Sequence, residues 1–238
     1  MTRPAGPGVA LGLTGLRTSI GGSRILHGVD LTVPEGGVTA LIGRNGAGKT
    51  STLRAAIGLL PATGTVRMLG ADVSGWPTHR IIRRGVGYVP EDREVFAGLT
   101  VRENLRLAET GGDPRYAEVY RLFPELRERA GQRAGTLSGG QQQMLAIGRV
   151  LLHGKQLLLI DEPTKGLAPR YVTEVVRALE RAAEAATILL VEQNVHVVRR
   201  LARQVVVLDR GQAVYAGDVA DLDDAGLVRR LLGVSGAA

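Results

Sequence analysis

At 37–42 the apolar run "GVTALI" passes without a break into Gly43-Arg44-Asn45-Gly46-Ala47-Gly48-Lys49-Thr50. The pattern is G-x-x-x-x-G-K-[ST], which needs a strand before it and a helix after it. A strand is therefore expected over 37–42 and a helix from Thr50 to about Leu59. The glycines let backbone N–H groups converge on one point with no Cβ in the way. Those N–H groups and the helix N-terminus form an anion site. Lys49 adds a charge for the β- and γ-phosphates, and the Thr50 hydroxyl is suited to Mg²⁺. Gly43, Asn45, Gly46, Ala47, Gly48, Lys49, Thr50 and Ser51 are the expected phosphate-binding residues.

Elsewhere apolar runs alternate with helical patterns, which indicates an α/β fold. Strands are expected over 11–16, 25–33, 64–69, 86–89, 156–160, 187–191, 204–209 and 212–216. Turn signals at Gly21-Gly22 and Pro34-Glu35-Gly36-Gly37 group the first few into a small antiparallel layer. "VTALIG" and "QLLLI" read as continuously buried strands of a parallel sheet. From about 92 to 152 the texture becomes helical. Thr100 and Glu103 have capping-box spacing, and Pro124 marks a break. This block reads as a helical subdomain inserted into one domain spanning 1–238. "GWPTHR", with Trp76, reads as a loop before a helix, and the last six residues as a fraying end.

A second apolar run, "LLLIDEP", ends in adjacent carboxylates, Asp161 and Glu162. Buried ionised acids without partners cost several kcal/mol, so they need a cationic or hydrogen-bonding counterpart. Open parallel sheets place ligands at the carboxyl ends of their strands. Residues 42–43 and 160–161 should therefore meet at one edge, with Asp161 organising Mg²⁺ beside Thr50. Glu162 should point elsewhere, free to hold a water for in-line attack on a phosphate.

Composition narrows the alternatives. The chain has no cysteine, hence no disulfide framework or thiolate metal site. His27, His79, His153 and His196 lack metal spacing. The apolar runs fall far short of the roughly 20 residues that span a bilayer. The N-terminal "MTRPAGPGVA" has no signal-like apolar core, so a cytoplasmic location is expected. Net charge is +7, yet the arginines are scattered and aromatics are few, which argues against nucleic acid as a partner. Only Lys49, Lys155 and Lys165 are lysine among 30 basic residues. Arginine was acceptable almost everywhere else, which draws attention to the lysines that remain.

"TLSGGQQQMLAIGRVLL" offers a second phosphate-seeking helix end. Ser138 suits a helix N-cap, two glycines leave the terminus open, and Met144, Leu145, Ile147, Val150 and Leu151 anchor the helix behind it. With the phosphate loop, "LTVRENL", this signature and "LLLIDEP" in that order, the chain resembles the ATP-binding cassette (ABC) ATPases over about 11–233. The resemblance implies a P-loop NTPase core, mostly a parallel sheet with helices, with an antiparallel β layer and the inserted helical subdomain. It implies ATP and Mg²⁺ as ligands. It also implies that Ser138, Gly139, Gly140 and Gln141 close on the nucleotide of a second cassette.

Within that family "GYVPEDREVFAGLTVRENL", "DEPTKGLAP" and "LLVEQN" are most similar to the LivF type, an ATPase subunit of branched-chain amino-acid importers. Glu91 stands where most cassettes have Gln, Gln193 where most have His, and Ala168 where most have Asp; the LivF type shares all three departures. Gln193 cannot titrate but can donate to a phosphate oxygen. Glu91 is suited to meet Mg²⁺ or its water, at the junction of core and helical subdomain. Glu162, Gln193 and Glu91 are thus the expected catalytic residues, and Thr50, Asp161 and Glu91 the magnesium ligands. Ile20 replaces the family's usual adenine-stacking aromatic, and an aliphatic lacks the ring face.

The resemblance further implies a peripheral protein on the inner face of the cell membrane. Its expected partners are two integral membrane permease subunits, a second ABC ATPase subunit and an extracytoplasmic solute-binding protein. Two alternatives stay open. One is a transport ATPase for another small solute such as urea. The other is a non-transport ABC ATPase, although the chain lacks the long coiled-coil insertion or tandem cassettes usual there.

Overall fold

Two sheets account for the apolar runs. In a computed structural model, described over residues 8–109 and 112–232, the chain begins with β1 (Val9–Ile20), β2 (Ser23–Pro34), β3 (Val38–Ile42), α1 (Lys49–Ala56), β4 (Ala62–Met68), β5 (Ala71–Asp72), α2 (Thr78–Arg83) and β6 (Val86–Val89). Four helices follow: α3 (Val101–Arg106), α4 (Tyr116–Leu122), α5 (Pro124–Glu128) and α6 (Gly139–Leu151). The chain then runs through β7 (Leu157–Asp161), α7 (Pro169–Ala183), β8 (Thr187–Val191), α8 (Val195–Leu201), β9 (Gln204–Asp209), β10 (Gln212–Asp218) and α9 (Ala225–Leu232). Residues 1–7 of the N-terminal stretch read for a signal, and the final six residues expected to fray, lie outside the described residues; Val9 and Ala10 of that stretch open β1.

The larger sheet has the order β10-β9-β3-β8-β7-β6, parallel except for β10 on one edge. The smaller is antiparallel, β2-β1-β4-β5. Every residue of β3, β7 and β8 is buried, because both faces of that sheet are covered. Side chains alternate across a strand, and the alternation sorts them into two cores. Ala40, Ile42, Leu158, Ile160, Ile188 and Leu190 pack with the helices α3–α8. Leu41, Leu157, Leu159, Leu189 and Val191 pack with α1 and the antiparallel layer. Burying each such branched side chain contributes about 1.5–3 kcal/mol. The α/β class, the antiparallel layer and the parallel core are as the sequence indicates.

The helical block shares the first of these cores. Val101, Leu105, Val119, Phe123 and Leu126 are wholly buried and belong to the same cluster as Ile160 and Val175. α3 begins with the expected capping box: the Thr100 hydroxyl accepts from the Glu103 amide, and the Glu103 carboxylate accepts from the Thr100 amide at 2.8 Å.

Differences from expectation fall at element ends. β1 and β2 are longer than 11–16 and 25–33, pairing along nearly their full length. α1 stops at Ala56 rather than near Leu59. Gly58 turns at φ +76°, and the Leu59 and Leu60 amides both fold back onto the Arg54 carbonyl. A Cβ on Gly58 would lie 2.6 Å from the Trp76 carbonyl, so the Trp76 loop packs against that turn. α2, from Thr78, follows this loop as expected.

One glycine ties the layers together. Gly211, in the β9–β10 turn at φ +72°, donates its amide to the Ala47 carbonyl and accepts from the His27 amide, both at 2.9 Å. A Cβ there would sit 2.1 Å from the Ile25 carbonyl. Gly211→Ala combines backbone strain with a main-chain collision, a cost of about 3 kcal/mol or more. In a domain of this size that lowers Tm by on the order of 10 °C. Thermal unfolding of the variant is the check, and an unchanged Tm contradicts this account of the turn.

Candidate functional site

β3 runs into the phosphate loop, and Gly43 takes φ +153° as the chain leaves the sheet. A Cβ there would lie 2.2 Å from the Leu208 carbonyl on β9, so the loop passes flush against the neighbouring strand. Gly48, at φ +103°, is the N-cap of α1. The loop wraps the Lys49 side chain, whose ammonium donates to the Gly43 and Arg44 carbonyls at 2.9 and 3.2 Å. Lys49 is buried. Desolvation pulls its pKa below the ordinary lysine value, while Glu162 and Asp161 act in the opposite sense. Asn45 and Gly46 are exposed at the loop's crest, and Ser51 is half-buried on α1.

Asp161 closes β7 and is fully buried. Its Oδ1 accepts from the Thr50 hydroxyl at 3.2 Å. Its Oδ2 is buried with no hydrogen-bond partner. Burial pushes the carboxyl from 3.8 up to about 6; the Thr50 hydrogen bond opposes this, and the nearby Glu162 and Glu91 charges add to it. An unpaired oxygen beside a hydroxyl is a fitting place for a hard divalent cation. Mg²⁺ characteristically takes one or two protein oxygens and completes its shell with phosphate and water. No group of three His, Asp or Glu able to hold a metal occurs among the described residues. The expected meeting of 42–43 with 160–161 is indirect. β8 lies between β3 and β7, and it is Thr50 on α1 that reaches Asp161.

Glu162 takes φ +44°, a left-handed conformation uncommon outside glycine. Its amide donates to the Val191 carbonyl at 2.9 Å, which holds the turn against β8. Such outliers persist where surroundings over-determine them, and they cluster at functional sites. The expectation that Glu162 is free is corrected here. Its Oε1 accepts from Gln193 Nε2 at 2.5 Å and lies 3.9 Å from Lys49 Nζ; its Oε2 lies 3.2 Å from Lys165 Nζ. A buried carboxylate requires such partners. Gln193, expected to donate to a phosphate oxygen, here donates to the acid. Glu91, half-buried after β6, is paired with Lys165 at 2.5 Å. Glu91 and Glu162 together hold the Lys165 ammonium well above the ordinary lysine range, Glu91 contributing most.

Two residues that organise the surrounding loops escaped the sequence reading. Glu192, buried, accepts from the Thr164 amide and hydroxyl and from the Gln193 and Asn194 amides. It ties the loops after β7 and β8 into one platform. The signal was present: "LLVEQN" ends an apolar strand with an acid, as "LLLIDEP" does. Tyr171 is the other. Its ring covers Gly140, where a Cβ would come within 2.2 Å, and its hydroxyl accepts from Ser138 at 3.3 Å. Nothing local in the sequence marks it.

The signature residues stand apart from the phosphate loop. Ser138, exposed, caps α6 in a capping box with Gln141, whose side chain donates to Glu125 at 2.6 Å. Gly139 and Gly140 form the first turn. Among the described residues, the side-chain hydrogen bonds of Ser138 and Gln141 run between these two residues, to Tyr171 and to Glu125, not to Lys49 or Asp161. Ile20 is 47% exposed at the tip of the β1–β2 hairpin. That hairpin approaches the loop, since the Ile25 carbonyl is 3.6 Å from the Cβ position of Gly48.

The model of the ABC transporter family matches residues 26–165. The chain belongs to the ABC transporter family. It is 42% identical over 204 residues to the high-affinity branched-chain amino acid transport ATP-binding protein BraG of Pseudomonas aeruginosa, covering 83% of this chain and 88% of that one. It is 34% identical over 206 residues to a probable branched-chain amino acid transport ATP-binding protein, LivF, of Archaeoglobus fulgidus, covering 83% and 87%. A solved ATP-binding subunit of an ABC transporter superposes with a TM-score of 0.77 at 30% identity, covering 96% of this chain and 95% of that one. A nucleotide-free cassette of an ABC transporter gives 0.80 at 25% identity, over 95% and 100%. The cassette is an ATP-binding ATPase of the transport-coupled kind.

The raised Asp161 pKa has a signed consequence. The folded cassette holds that proton more tightly than the unfolded chain, so this group's contribution is full below about pH 3.8 and lost as pH rises through about 6. A difference of that size corresponds to about 3 kcal/mol, or on the order of 5–10 °C in Tm. Without metal or nucleotide, the Tm of Asp161→Asn relative to the parent should therefore climb between about pH 4 and about pH 6.5 and level off above that. A pH-independent difference in a thermal-shift series contradicts the burial argument.

Proposed function

We propose that this cassette is the ATP-hydrolysing subunit of an ABC importer for branched-chain or related amino acids. The 42% identity to BraG across most of both chains carries the cargo assignment. The convergence of Lys49, Thr50, Asp161, Glu162 and Gln193 supports the chemistry.

Residues 43–51 bind the triphosphate, with Lys49 turning from loop carbonyls to phosphate oxygens. Ile20 packs against the base. Thr50 and Asp161 would hold Mg²⁺, which would neutralise phosphate charge. Glu162 orients a water for in-line attack. As the new P–O bond forms at the γ-phosphorus, the bond to the ADP oxygen breaks and the water's proton passes to the carboxylate. Gln193 fixes that carboxylate and, being untitratable, does so at any physiological pH. Ser138, Gly139, Gly140 and Gln141 complete the phosphate site of a second cassette; the exposure of Ser138 at the start of α6 supports this.

Residues 92–152 act as the helical subdomain that passes closure to two membrane permeases, fed by an extracytoplasmic solute-binding protein. A groove of about 510 Å³ lined by Leu59, Ile82, Pro90, Phe96 and Val150 lies beside the Glu91 loop. The exposure of Leu59 and Phe96 there, at 50% and 49%, supports it as the seat of a permease segment. No helix of the described residues is long and apolar enough to cross a membrane; the cassette sits peripherally on the inner face.

Glu162→Gln should keep ATP binding, lower turnover by about 10²-fold or more, and accumulate an ATP-dependent dimer on size-exclusion chromatography. Turnover at the parent rate removes Glu162 from the role. For the transport assignment, affinity purification from native membranes should recover permeases with a sibling cassette. Deletion of the gene should abolish uptake of labelled leucine, isoleucine or valine; unimpaired uptake of all three contradicts the cargo.

A further inference from the structure

Among the described residues, Lys165 is unlike the other basic side chains. Thirty are present and three are lysine. One of the three, Lys49, is fixed by the phosphate loop. Lys165 follows the catalytic acid by three positions and touches two carboxylates at once, Glu91 at 2.5 Å and Glu162 at 3.2 Å. The two acids belong to different parts of the fold. Glu162 extends β7 into the hydrolytic site, and Glu91 begins the segment leading from β6 to α3. β6 and β7 are neighbours in the sheet, so the contact spans the C-terminal ends of adjacent strands.

We propose that Lys165 is a positioning residue of this site: its ammonium bridges Glu91 and Glu162, and so registers the entrance to the helical block against the carboxylate that orients the attacking water. This rests on the reading of Glu162 as the water-holding acid.

The local backbone is built to present this lysine. The Lys165 amide donates to the Glu162 carbonyl at 3.2 Å, and the Leu167 amide to that of Thr164 at 3.2 Å. Thr164 is locked to the buried Glu192 through both amide and hydroxyl. The ammonium therefore springs from a fixed turn. On the other side Gln193 holds Glu162 Oε1, so Lys165 and Gln193 pin the carboxylate through opposite oxygens. An ammonium offers three donors around a point and can serve two separate carboxylates, whereas a guanidinium's planar fork favours one in bidentate fashion. That gives a reason for lysine here in an arginine-rich chain. The side chain itself is 58% exposed, so replacing it leaves the core untouched.

The test uses the full chain and three readouts: backbone amide exchange over 90–95, ATP affinity, and the kcat and KM of ATP hydrolysis. Lys165→Met should speed exchange over 90–95 while leaving Tm and ATP affinity near the parent's. It should lower kcat about tenfold with KM changed less than about twofold. Adding Glu91→Gln to Lys165→Met should cost little more, since partners in one network are not additive. Lys165→Arg should recover part of the loss. Exchange at the parent rate in Lys165→Met overturns the bridge, and this arm needs no turnover. Parent kcat in Lys165→Met, or fully additive losses with Glu91→Gln, overturns the positioning role. Glu162→Gln assayed alongside separates the two readings. If it still turns over, the assignment of the acid fails; if it is dead while Lys165→Met is normal, only the lysine's role fails.

Discussion

A carboxylate wholly removed from water, with one oxygen unpaired, is the constraint around which this molecule is arranged. Asp161 ends a strand whose every residue is buried. An isolated ionised acid in that position would be costly. The surroundings answer it with few groups: a threonine hydroxyl, a buried lysine nearby, and an open coordination position suited to a divalent ion. Burial is also what makes the site useful, because charges act on one another more strongly where water is excluded.

Around that carboxylate the loops are held by main-chain contacts and buried acids rather than by bulk. Glu192 joins the turns after β7 and β8. Gly211 joins the β9–β10 turn to the phosphate loop and to β2. Glu162 keeps a left-handed backbone because the Val191 carbonyl holds its amide. Each contact brings together elements far apart in sequence, so the site's geometry is a property of the whole sheet. Preorganisation of this sort lets polar groups act without reorganising during the reaction.

The helical block is coupled to the site in two ways. Its apolar residues belong to the same core as alternate residues of β7 and β8, the first of which ends in Asp161. The Glu91–Lys165–Glu162 contact supplies a polar link at the strand ends. At the far end of the block, Arg170 pairs with Glu125 and donates to the Tyr171 hydroxyl. This ties the start of α7 to the signature helix α6 through Ser138 and Gln141.

The sequence by itself determined the nucleotide loop, the two acids, the signature helix with its cap and the alternation of buried runs. Each is a short-range pattern whose meaning is set by local backbone chemistry. α1 was over-extended because its terminator, Gly58, turns against the Trp76 loop, eighteen residues on. Glu162 was expected to be free because sequence spacing carries no information about β8 standing between β3 and β7 and delivering Gln193. Tyr171 over Gly140 and Lys165 between two acids were likewise illegible. Strand order and loop packing decide which side chains meet, and those depend on how two cores close on opposite faces of one sheet, which no local window of residues encodes.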